Sequence, residues 1–135
     1  MEETYKELKA QWLAGDRDRE RNLNLMFLAW YHWAEPSFLT DFEEDSQAVG
    51  LWKSIFAHFG GDSSNDIEFL FAAGIMVNIA SYMLGDEDEW MQRGKAMIRQ
   101  AMSVQEEALP LSTFDNRGDY GDYFAHQLRG HLRRG

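Results

Sequence analysis

Apolar residues crowd the stretch from Ile67 to Leu84 so densely that they cover most of a helical circumference instead of one stripe. That is the pattern of a helix surrounded by other helices. Asp62, Ser63 and Ser64 offer capping oxygens before it, and Gly85 offers a left-handed stop after it. The spacing therefore predicts a buried central helix over about residues 66–85, around which the rest of the chain packs.

The other elements follow from one-sided patterns. Met1, Tyr5, Leu8 and Trp12 predict a short first helix ending at Gly15. A second runs from near Asp16 to Glu35, where Pro36 stops it. Leu23, Met26, Phe27, Trp30, Trp33 and Ala34 form its main stripe, and Leu25 and Leu28 begin another. Thr40 and Glu43 have capping-box spacing and open a third helix, whose face carries Ala48, Trp52, Ile55, Phe56 and Phe59 up to the break at Gly60 and Gly61. Asp86, three residues before Glu89, caps a fifth helix through Trp90, Gly94, Met97, Ile98, Ala101, Val104 and Ala108 to about Leu109. Residues 111–122 have loop composition, and Tyr120, Phe124, Leu128 and Leu132 return to helical spacing for a C-terminal helix. No stretch alternates like a strand. The expectation is one all-α domain over residues 1–135, with five to six helices packed as antiparallel αα-hairpins.

Shifted by 70 residues, Ala10–Asp18 lies on Ala80–Asp88, with matches at Ala, Gly and both Asp and with Trp12 opposite Tyr82. Each copy reads as a helix end, a glycine turn and an acidic helix start. Such a likeness arises from a repeated hairpin, or from capping chemistry alone. In the second copy, Leu84-Gly85 followed by Gly94, Ile98 and Ala101 in small, large, small order resembles a tetratricopeptide hairpin, over Gly74 to about Pro110. The turn after Gly85 is longer than in that family, Trp90 stands where a small or polar residue is usual, and a 34-residue period is missing. The resemblance implies a protein-binding scaffold with a concave recognition face.

Composition narrows the classes of function. Aromatic residues make up 14% of the chain and only two residues are Pro, which speaks for a folded core. The absence of cysteine excludes disulfides and thiolate chemistry and suits a reducing cytoplasm, the expected location; the N-terminal sequence shows no apolar export signal. The apolar run Phe69–Leu84 is sixteen residues long, short of the roughly 20 that cross a bilayer. It contains Asn78 and Ser81 and is flanked by carboxylates, so no membrane span is expected. The net charge of −10 disfavours nucleic acid and leaves a basic protein as the partner that the charge suits.

Candidate chemistry is sparse. His32, His58, His126 and His131 fall in neither His-Glu-x-x-His nor Glu-x-x-His, so no metal site and no cofactor is expected. Asp119, Asp122 and His126 would share a helix face only if the last helix began early, and Gly118 and Gly121 read against that. No phosphate-cradling glycine motif and no Gly-x-Ser-x-Gly elbow occurs, so no catalytic residue is assigned.

The least generic local sequence is Trp30-Tyr31-His32-Trp33, in which the tryptophans share a face and Tyr31 and His32 point elsewhere. The candidate partner surface therefore joins Tyr31, His32 and Phe38 to the acidic residues Asp41, Glu43, Glu44 and Asp45. The leading expectation is a small non-catalytic protein-binding domain. The alternatives are a small-ligand protein or enzyme without recognisable motifs, and an acidic immunity-type inhibitor that masks a basic partner.

Overall fold

A computed structural model describes residues 2–34, 47–103 and 109–134. Among these, six α-helices and no strand are found: α1 (Glu2–Leu13), α2 (Arg19–Ala34), α3 (Ala48–His58), α4 (Ile67–Ala80), α5 (Glu87–Ser103) and α6 (Gly118–Arg134). Short 3-10 turns at Gly61–Ser63, Ser81–Met83 and Leu111–Phe114 lie between them. The chain is all-α, as its patterning predicts.

Two helices are enclosed nearly all round. Every residue from Glu68 to Val77 in α4 is buried, and so are Asn22, Leu23 and Leu25–Trp30 in α2. Burying side chains of this size contributes about 1.5–3 kcal/mol each relative to leaving them exposed. Around the pair, α5 covers α4 most extensively, while α3 and α1 cover α2. The tightest seam joins α4 to α5. A methyl group added at Gly74 would lie 2.7 Å from Ile98 Cγ1, and one at Gly94 would lie 2.9 Å from Val77 Cγ1. Only hydrogen fits at either crossing point.

Aspartates open three helices in the same way. Asp18 Oδ2 accepts from the Arg21 N–H at 2.9 Å, Asp66 Oδ1 from Phe69 N–H at 3.1 Å and Asp86 Oδ1 from Glu89 N–H at 2.9 Å. Each satisfies an orphan donor, worth about 1 kcal/mol. Gly15 (φ 103°) and Gly85 (φ 150°) supply the left-handed residues that turn the chain after α1 and after Leu84.

Several boundaries differ from the expectation. The second helix begins at Arg19, because Asp16 accepts from Asp18 N–H at 2.9 Å in a local turn and leaves capping to Asp18. The central helix is capped by Asp66, and it ends at Ala80, where φ −131° and ψ 39° break it into a 3-10 turn. The last helix begins at Gly118, inside the segment expected to be a loop. Asn116 (φ 58°) and Gly118 (φ 68°) reverse the chain. Gly121 then serves packing, since a methyl group there would lie 2.3 Å from the Phe114 carbonyl oxygen. The predicted capping box at Thr40 and residues 104–108 lie outside the described residues.

Candidate interaction surface

Charged side chains buried inside a helical bundle have either a structural or a chemical role. Glu68, on the first turn of α4, is 7% exposed. It receives the Tyr120 hydroxyl at 2.6 Å, Arg117 at 2.8 Å and Arg19 at 3.2 Å. Arg19 also grips Asp66 at 2.8 Å, and Arg117 reaches Glu20 at 2.5 Å. The starts of α2, α4 and α6 are thus pinned to one another. Burial, then the neighbouring Glu68, pushes the Tyr120 hydroxyl well above its usual range, which keeps it a proton donor. Burial works against the Arg117 cation, but Glu20 and Glu68 outweigh it and its pKa rises. With its partners in place, this cluster reads as a structural clasp.

Of the residues expected to bind a partner, Tyr31 and His32 are among the described residues. Tyr31 is half-buried, its ring edge-on to Phe27 at 4.9 Å and to Trp30 at 5.5 Å. His32 is also half-buried and lies 4.0 Å from the Tyr5 ring, facing α1. The two adjacent side chains therefore turn to different neighbours. Phe38, Asp41, Glu43, Glu44 and Asp45 lie outside the described residues. The early start of α6 does put Asp119, Asp122 and His126 in helical register, yet no group of three or more His, Asp or Glu among the described residues is placed to hold a metal ion.

An exposed aromatic beside carboxylates occurs at the turn between α4 and α5. Ile79 is 48% exposed, Tyr82 56% and Met83 41%. Directly after them come Asp86, Glu87, Asp88 and Glu89, all exposed and none in an ion pair among the described residues. The turn is held firmly from beneath. Ser81 and Leu84 are buried, and Lys53 Nζ donates to the Leu84 carbonyl at 2.6 Å. Trp90 lies alongside, with the Arg93 guanidinium 3.8 Å from its ring centre and Lys53 at 5.8 Å. Arg93 in turn pairs with Asp62 at 2.6 Å and holds that carboxyl below the ordinary aspartate range. The apolar tip is presented on a fixed base.

Models of known families, curated proteins and solved structures offer no match to this chain.

The α4–α5 turn has the two components a docking site uses: apolar side chains that can be desolvated, and peripheral charge that steers association. Tyr82 has no ring partner among the described residues, so its face is open to an incoming group. Away from this turn, a cleft of about 460 Å³ is lined by Phe114, Asp115, Asn116, Asp122, Ala125 and Arg129. No single helix among the described residues is long and apolar enough to cross a membrane. Tyr82 lies outside the expected surface because a helix continuing through the apolar run to Leu84 places it in the core, whereas the helix ends at Ala80. The signal in the sequence is Tyr82, a ring with a polar tip three residues before Gly85.

Proposed function

We propose that the chain is a small, non-catalytic helical domain that binds a basic protein partner through the α4–α5 turn. The observation that carries this reading is the exposed Ile79, Tyr82 and Met83 beside four carboxylates without ion-pair partners among the described residues. The glycine-to-glycine seam of α4 and α5 supports the tetratricopeptide likeness of that hairpin, with Gly94 and Ile98 packed against α4 and Ala101 buried. Net charge −10 disfavours nucleic acid, and the cysteine-free composition suits the cytoplasm. An acidic inhibitor that masks a basic partner would use the same surface.

The test is partner capture by the full chain at low and high salt, comparing wild type with Tyr82→Ala and with a Glu87→Lys, Asp88→Lys double variant. Both variants lose the captured protein while keeping a near-native melting temperature, and high salt weakens capture by wild type. Capture that survives both substitutions contradicts the reading. A small-ligand role draws its support from the 460 Å³ cleft. It predicts that Arg129→Ala, and not Tyr82→Ala, abolishes function.

A further inference from the structure

All the methionines except Met1 lie among the described residues, and their surroundings differ. Met26, Met76 and Met97 are buried, and the Met76 sulfur receives the Trp52 indole N–H at 3.5 Å. Met91 and Met102 are half-buried, with Met102 packed against the core. Among these methionines only Met83 is exposed, at 41%. It stands at the tip of the docking turn, between the exposed Tyr82 and the buried Leu84. Lys53 fixes the backbone there through the Leu84 carbonyl at 2.6 Å. Exposure governs how readily a thioether is oxidised, and the product is a polar side chain in place of a flexible apolar one.

We infer that Met83 is a peroxide-sensitive modification site, oxidised ahead of the other described methionines without unfolding the chain, and that its sulfoxide switches off docking at the α4–α5 turn. This inference rests on the turn being a docking surface, as proposed above, and adds its regulation. The thioether sulfur attacks one oxygen of hydrogen peroxide. The S–O bond forms, the O–O bond breaks, and the departing hydroxide takes the proton of the transferred oxygen and leaves as water. Sulfur is oxidised and the peroxide is reduced by the same electron pair. Met83 stands outside the core cluster, so the folded chain accommodates the added oxygen. The same oxygen at the buried Met76 would meet close-packed side chains, so oxidation there requires unfolding. A partner closing on Ile79, Tyr82 and Met83 would bury a polar oxygen in place of an apolar contact, which weakens docking by about tenfold or more.

Limited treatment of the full chain with hydrogen peroxide, read by peptide mass spectrometry, tests it directly. Met83 gains one oxygen several-fold faster than Met91 or Met102, while Met26, Met76 and Met97 stay reduced until the chain is denatured. Chain oxidised at Met83 melts at the temperature of the untreated chain and captures about tenfold less basic protein at low salt. Methionine sulfoxide reductases restore the capture. Met83→Leu keeps its capture through the same peroxide treatment. Met91 or Met102 reacting as fast as Met83 overturns the inference, and so does a melting temperature that falls in step with Met83 oxidation. Capture that peroxide removes equally from Met83→Leu overturns it too. If peroxide leaves capture intact while Tyr82→Ala abolishes it, the docking surface stands and only its redox control is wrong.

Discussion

Trp30 donates its indole N–H to the carbonyl oxygen of Met76 at 3.1 Å, while Trp52 directs its own to the Met76 sulfur at 3.5 Å. One residue of α4 thereby receives one indole N–H from α2 and one from α3. Trp30→Phe keeps most of the apolar bulk and removes the donor. Urea unfolding should show a loss of about 1–3 kcal/mol from the missing bond and residual cavity. Stability equal to wild type would show that the Trp30 bond contributes nothing net.

The enclosure of α4 makes its small truncations costly. Ile75 is 3% exposed and Val77 is fully buried. Ile75→Ala is expected to lose about 2–4 kcal/mol, and Val77→Ala somewhat less. Melting temperatures unchanged in both would remove α4 from the core.

Glycine substitutions should differ in sign. Gly94→Ala forces a methyl group to 2.9 Å from Val77 Cγ1 and 3.2 Å from the Gly74 carbonyl oxygen, and is expected to cost about 1–3 kcal/mol. Gly130 in α6 has nothing within 4 Å of an added methyl. There Gly130→Ala should gain about 0.5–1 kcal/mol by restricting the unfolded chain. A Gly94→Ala melting temperature at or above wild type would contradict the α4–α5 seam, and a lowered one in Gly130→Ala would contradict the open space beside that glycine.

Acid should loosen the molecule through aspartates at helix starts. Arg93 depresses the Asp62 carboxyl; burial raises Asp66, but Arg19 and the Phe69 N–H outweigh it and leave it depressed. A depressed folded pKa contributes stability that is present above the unfolded value of about 4 and lost as pH falls through the folded values. The urea midpoint should therefore fall on acidification below about pH 5, and Asp66→Asn should flatten that dependence. Tyr120 has the opposite sign: its raised pKa contributes stability that disappears as pH climbs above about 10. Tyr120→Phe, which takes one donor from Glu68, should cost about 1–3 kcal/mol at neutral pH and abolish the alkaline loss.

The sequence made local features readable and long-range ones invisible. The unbroken apolar run Phe69–Val77, the glycine stops at Gly15 and Gly85 and the cap at Asp86 each follow from neighbours within a turn of helix. The clasp on Glu68 joins residues 49 and 52 positions apart, and Arg117 reaches Glu20 across 97, so no local pattern announces it. The start of α6 was hidden because Gly118 and Gly121 carry loop composition, although Gly121 is there to let the Phe114 carbonyl approach. Tyr82 was hidden for the converse reason. It continues an apolar run whose helix has already ended at Ala80, so its composition reads as core while its backbone places it outside.

The most direct test of the α4–α5 turn as the docking surface is site-specific photo-crosslinking of the full chain in cells. A benzophenone side chain replaces Tyr82 in one variant and Tyr31 in another. The account predicts a discrete protein adduct from position 82 that disappears when Glu87 and Asp88 are changed to lysine, and none from position 31. An adduct from position 31 with position 82 silent would contradict it and return the interaction to the end of α2.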